Sequence, residues 1–180
     1  MRIKAEETMA IVIDYQEKLI PAINENEKVV HNTEILINGL KEFDIPIIVS
    51  QQYTKGLGET VDKIAQAVGD FTAFDKKAFS LCLDNEIYSA IRKTGKKNII
   101  LCGVEAHICV LQTAIDLLEK EYNVFFVEDC VGSRKDNDKQ MALHRAEEEG
   151  AFITTYEAVL YELTKSAADE HFKAVSKLTK

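Results

Sequence analysis

Cys109 stands where a thiol can serve as a nucleophile. The segment Asn98-Ile-Ile-Leu-Cys-Gly-Val-Glu-Ala-His-Ile-Cys-Val-Leu-Gln112 opens with a short apolar run ending at Gly103. It then changes period, with Ile108, Leu111, Ala114, Ile115 and Leu118 on one helical face running to about Lys120. Cys109 therefore falls near the first turn of a helix that follows a strand end directly. Free backbone N–H groups and the positive end of the helix dipole meet there, which favours a thiolate. Attack on a carbonyl also requires a proton acceptor and donors for the oxyanion that forms. Asp14, which ends the apolar run Met9-Ala-Ile-Val-Ile13, is a candidate acceptor if burial tunes its carboxyl toward neutrality. Lys76 or Lys77 is a candidate cation that would stabilise both anions, and backbone N–H groups of the Gly103–Cys109 turn are candidate oxyanion donors.

Each residue also has an ordinary structural role. An aspartate after a strand caps or turns the chain, a lysine in a charged run is solvated, and a lone cysteine fills a core. His107 offers a competing Cys–His pair, but residues two apart on a helix point to different faces, which leaves it a helix-start or pocket-wall residue. His31, His144 and His171 lie in helical segments without partners in register and read as surface or packing residues. Cys82, Cys102 and Cys130 read as packing cysteines, with Cys130 near the strand-end face.

The elements that must position these groups alternate. Strands are expected at Met9–Ile13, Ile47–Val49, Phe71–Phe74 (the weakest), from Asn98, at Val124–Val127 and at Ala151–Thr154. Helices are expected at Glu27–Phe43, Thr60–Val68, Asn85–Lys93, in the segment bearing Cys109, and at Asp136–Glu149, Glu157–Leu163 and Asp169–Leu178. Gln51–Gly58 reads as a polar loop with two glycines, and Gly150 as a helix C-cap. Strands apolar on both faces, alternating with helices, imply an α/β fold: a single-domain, three-layer, doubly wound sandwich over residues 1–180 with a six-stranded, mostly parallel sheet. Such sheets bind ligands beyond the carboxyl ends of their strands. In a 3-2-1-4-5-6 order the first and fourth strands are neighbours, bringing Asp14 and Cys109 together. Spacing alone does not show how the lysine reaches them from the third strand.

Composition narrows the field. The 180 residues carry a formal charge of −8 with 46% hydrophobic and 29% charged residues, which fits one globular domain and opposes a nucleic-acid surface. No apolar run approaches the ~20 residues of a membrane span, and the charged Met1–Glu7 is no signal peptide. The four dispersed cysteines, with no CxxC pair, fit neither a disulfide scaffold nor a metal knuckle and point to reduced thiols in a cytoplasm.

Three motifs then carry a resemblance. Val12-Ile-Asp-Tyr-Gln16, Lys76-Lys-Ala-Phe-Ser80 and Leu101-Cys-Gly-Val-Glu-Ala-His-Ile-Cys-Val110 resemble the signatures of the isochorismatase-like cysteine hydrolases. Val127-Glu-Asp-Cys-Val-Gly-Ser-Arg134 resembles the next segment of that family. The loop Gln52–Gly58 and the tail Phe172–Leu178 resemble its "isochorismatase domain-containing" branch. The resemblance implies a catalytic triad of Asp14, Lys76 and Cys109, with Lys77 the lesser choice. It further implies a cis peptide at Val104–Glu105 and an oxyanion hole made by the N–H groups of Glu105 and Cys109. Metal-holding nicotinamidases of the superfamily carry an Asp-x-His pattern after the second strand. This chain reads Ser50-Gln-Gln-Tyr-Thr54 there, so no metal and no cofactor are expected.

The resulting expectation is a cytoplasmic, metal-independent cysteine hydrolase cleaving a C–N bond of a small amide-like substrate through a thioester. Gln52, Tyr53, Leu57 and Phe79 are expected to wall its pocket. Family resemblance implies a homo-oligomer, a dimer or tetramer, with neither nucleic acid nor membrane as partner. Two rivals remain: a redox-sensing thiol protein, which would want a resolving cysteine, and a non-catalytic small-ligand-binding member of the fold.

Overall fold

The computed structural model describes residues 1–180. Six strands, β1 (Thr8–Ile13), β2 (Ile47–Gln52), β3 (Phe74–Lys76), β4 (Asn98–Val104), β5 (Asn123–Gly132) and β6 (Phe152–Thr154), form one sheet. The sheet is parallel throughout, in the order β3-β2-β1-β4-β5-β6. Eight helices surround it: α1 (Asn26–Glu42), α2 (Thr54–Leu57), α3 (Asp62–Val68), α4 (Asn85–Lys93), α5 (Leu111–Glu119), α6 (Asp136–Glu148), α7 (Tyr156–Thr164) and α8 (Phe172–Leu178). None is long and apolar enough to cross a membrane.

Alternation along the central strands builds the two covered faces. Ala10 and Val12 of β1 join Ile100 and Cys102 of β4 in one core with Leu36, Ile37 and Leu40 of α1 and Val159 and Leu160 of α7. Met9, Ile11 and Ile13 join Ile99 and Leu101 in the other, with Ile87 and Ile91 of α4, Leu111, Ala114 and Leu117 of α5, and Ala142 and Ala146 of α6. Successive strand side chains point to opposite faces, and the central strands of a parallel sheet covered on both sides are apolar along nearly their whole length. That is why β1 and β4 are buried from end to end.

Several boundaries differ from expectation, and three bear on the site. The edge strand β3 is Phe74–Lys76 rather than Phe71–Phe74, because pairing with Ser50, Gln51 and Gln52 of β2 sets its span, not its own apolar content. Much of the expected polar loop Gln51–Gly58 is sheet or helix: β2 runs on through Gln52, and α2 is a single turn over Thr54–Leu57. β5 extends past Val127 to Gly132, its register against β4 shifting between Leu101 and Gly103. The terminal helix starts at Phe172 rather than Asp169.

Candidate active site

β1 ends at Ile13, and Asp14 takes a left-handed conformation with φ 57°, which a short polar side chain tolerates. Its N–H still donates to the Ser50 carbonyl at 3.1 Å, so the turn stays attached to the end of β2. Ser50 Oγ donates to Asp14 Oδ1 at 2.8 Å, and Lys76 Nζ stands 2.8 Å from Oδ2. Both carboxylate oxygens are thereby occupied, and the residue is fully buried.

Lys76 is the last residue of β3, in register with Gln52 of β2. Two strands therefore separate it from β4, and its long side chain crosses that distance at the strand ends. Besides Asp14, its ammonium donates to Gln52 Oε1 at 2.6 Å and to the Ala78 carbonyl at 3.4 Å, and lies 3.5 Å from Cys109 Sγ. Lys77, its neighbour, points outward and is exposed, as period-two alternation at a strand end requires.

Cys109 lies in a π-helical turn, Ala106–Val110, between β4 and α5. The Val104–Glu105 peptide is cis. Gly103, at φ 152°, lets β4 pass β1 closely: a Cβ there would lie 2.6 Å from the Ile13 carbonyl oxygen. The cysteine is 6% exposed. It opens on a pocket of about 150 Å³ that Gln52, Leu57 and Phe79 line together with Leu19, Val104, Glu105 and Ile108. Tyr53 is placed elsewhere, half exposed and with its ring over Gly56. Tyr53 itself adopts φ 42° at the start of α2.

Position at a helix start does not make this thiol easy to ionise. Burial pushes the Cys109 thiol up to about 12, and the Asp14 carboxylate, with its hydrogen bond, adds to the shift; Lys76 opposes it. The ammonium is already paired with a carboxylate, so its field at the sulfur is largely offset. Burial and the Asp14 carboxylate thus favour the neutral form of the thiol beside the Asp14–Lys76 pair.

His107 turns away from the sulfur. Its Nδ1 lies 2.9 Å from Ser133 Oγ and its Nε2 3.9 Å from Asp138. All four cysteines are free and buried. No group of three or more His, Cys, Asp or Glu side chains is arranged to hold a metal ion.

Two supporting residues carry no site assignment from sequence. Ser50 holds the second oxygen of Asp14. Gln16 ties the loops together: its side chain donates to the Gln52 and Gly58 carbonyls at 3.1 and 2.7 Å and accepts from the Gln52 N–H at 2.7 Å. The one sequence signal for Gln16 is its place in the Val12–Gln16 motif.

The doubly wound parallel sheet, with helices on both faces and its switch point between β1 and β4, defines the class of fold as three-layer α/β. This chain belongs to the isochorismatase domain family, whose pattern matches residues 8–158. It is 36% identical over 179 residues to isochorismatase domain-containing protein 2 of Danio rerio, covering 98% of this chain and 89% of that one. It is 34% identical to the secreted isochorismatase effector Isc1 of Phytophthora sojae, covering 99% and 87%. Among solved structures, the MAR1 ribonuclease of Caenorhabditis elegans superposes with a TM-score of 0.93 at 38% identity, covering 99% and 92%. The chain thus carries an isochorismatase-family hydrolase fold.

Proposed function

We propose that the protein is a cysteine-dependent hydrolase that cleaves the C–N bond of a small, uncharged amide-like compound through a thioester, without metal or cofactor. The observation that carries this reading is the buried Lys76 ammonium standing 2.8 Å from Asp14 and 3.5 Å from Cys109, whose thiol lines a pocket. Substrate enters with its carbonyl carbon against Sγ. Asp14 takes the thiol proton as the S–C bond forms, so the sulfur gains thiolate character in the attacking step itself. Lys76 holds both charges in place, and the N–H groups of Glu105 and Cys109 receive the oxyanion. The tetrahedral adduct collapses, Asp14 returns the proton to the departing nitrogen, and the amine leaves. Water then adds to the thioester, releasing the acid and restoring the thiol.

The pocket limits the substrate. About 150 Å³, mostly apolar, admits a short acyl group and lies below the size of pockets that hold drug-sized ligands. One relative is described as a ribonuclease. The charge of −8 favours a small neutral compound over RNA here. Four free thiols fit a reducing, cytoplasmic setting and a homo-oligomer fits the family, although one relative is a secreted effector.

The test is a panel of small amides, ureas and carbamates scored for amine or ammonia release, with an RNA substrate alongside and Cys109→Ala as control. Turnover of a small amide that vanishes in the control supports the reading. Turnover that survives in Cys109→Ala, or RNA cleavage alone, overturns it.

A further inference from the structure

The proposed mechanism uses the backbone of Glu105 and leaves its carboxylate without a task. That carboxylate is nevertheless closely held. Arg134, just past the end of β5, donates its backbone N–H to Glu105 Oε2 at 2.9 Å. Its guanidinium Nε lies 3.1 Å from Oε1 and 3.0 Å from Oε2. The Glu105 side chain is 9% exposed, whereas that of Arg134 is 61% exposed. Glu105 also forms the wall between the catalytic pocket and a second hollow of about 370 Å³, which Lys18, Ala22 and Arg134 border.

A surface ion pair contributes little, but this one has a desolvated carboxylate bound at both oxygens, once by main chain. Its place matters more than its strength. An unneutralised carboxylate beside the spot where an acyl oxygen turns negative would oppose that charge, and poorly screened surroundings would enlarge the penalty. The same contact joins the segments that leave β4 and β5, and so restrains the residue whose N–H must face the oxyanion.

We infer that Arg134 is a positioning residue: by holding and neutralising the Glu105 carboxylate it keeps the Glu105 N–H aimed as an oxyanion donor, an inference that rests on the proposed hydrolase reading. Arg134 touches no reacting atom. Its effect reaches substrate only through Glu105.

Two reagents that share a nucleophile but differ in their need for an oxyanion hole separate this from a merely structural role. p-Nitrophenyl acetate acylates Cys109 through a tetrahedral oxyanion: the S–C bond forms, the thiol proton passes to Asp14, and p-nitrophenolate leaves. Iodoacetamide alkylates the same sulfur by displacing iodide and forms no oxyanion. Both rates are read at Cys109 by mass spectrometry in the full-length protein. Arg134→Ala is expected to slow acylation about 10- to 100-fold, the range for a misplaced catalytic donor, while alkylation is unchanged. Adding Glu105→Gln to Arg134→Ala is expected to recover part of the loss, since a neutral amide replaces the uncompensated charge. Parallel losses of both rates, no loss of either, or a double variant no faster than Arg134→Ala overturns the inference. Wild-type Cys109 inert to both reagents, with other thiols reacting, overturns the hydrolase reading and this inference with it.

Discussion

Lys76 Nζ and Asp14 Oδ2 lie 2.8 Å apart with neither side chain exposed to solvent. Each ion depends on the other, because an unpaired buried charge is costly. Lys76→Met leaves Asp14 buried without its cation and is expected to lower stability by about 3–5 kcal/mol in urea denaturation. Lys77→Ala, on the exposed neighbour, is expected to change it by no more than about 0.5 kcal/mol. Equal effects from the two would remove the distinction between them.

Asp14→Asn separates proton transfer from thiol ionisation. Losing the acceptor is expected to reduce kcat by about 10²- to 10⁴-fold on whichever amide the wild type hydrolyses. The same change removes the carboxylate and the hydrogen bond that hold the Cys109 thiol up, and leaves Lys76 free to act on the sulfur. Alkylation of Cys109 by iodoacetamide at a fixed pH of about 8, below the ordinary thiol range, is therefore expected to speed up while hydrolysis fails. Alkylation that slows along with hydrolysis would show that Asp14 does not oppose the thiolate.

Burial raises the thiols of Cys82, Cys102 and Cys109 to about 12 from an ordinary 9.0. The folded protein thus holds these protons where the unfolded chain releases them. The contribution is fully present below pH 9.0 and is lost as pH rises through about 12. Stability measured by urea denaturation is expected to fall above pH ~9 by up to about 1.4 kcal/mol per pH unit for each such thiol, and Cys102→Ala to flatten the decline. A decline of unchanged slope in that variant would contradict the assignment.

Gly103→Ala tests the close passage of the two strands whose ends lead to Asp14 and Cys109. The new methyl would meet the Ile13 main chain at 2.6 Å, a neighbour unable to rotate away. Overpacking is expected to cost about 1–3 kcal/mol, read by thermal denaturation, with hydrolysis reduced as the strand ends separate. Wild-type stability and rate in the variant would show that the approach is dispensable.

Interactions between residues close in the chain are legible in the sequence, and distant ones are not. The apolar runs of β1 and β4 and the periodicity of α1 are local and read directly, and the meeting of Asp14 with Cys109 becomes accessible once the doubly wound 3-2-1-4-5-6 order is adopted. The path of Lys76 is not, since β3 is defined by its partner β2 and carries little apolar signal of its own. Tyr53 reads as a pocket wall because a loop sequence does not reveal a left-handed residue whose ring lies over Gly56. The ionisation of Cys109 is misleading for a related reason. Helix position is visible in a sequence, whereas the burial that dominates the shift of this thiol is not. The Glu105–Arg134 contact spans 29 residues and two strand ends, and nothing in either motif announces it.

Trapping the acyl-enzyme bears most directly on the role of Cys109. The protein would be mixed with propionamide and with the active amides of the panel, quenched in acid within the first turnovers, digested and mapped by mass spectrometry. The expected result is an acyl group on Cys109 alone, absent from Cys109→Ala and lost again as acid is released. Steady hydrolysis with no acyl adduct at Cys109, undiminished in Cys109→Ala, would contradict the thioester route.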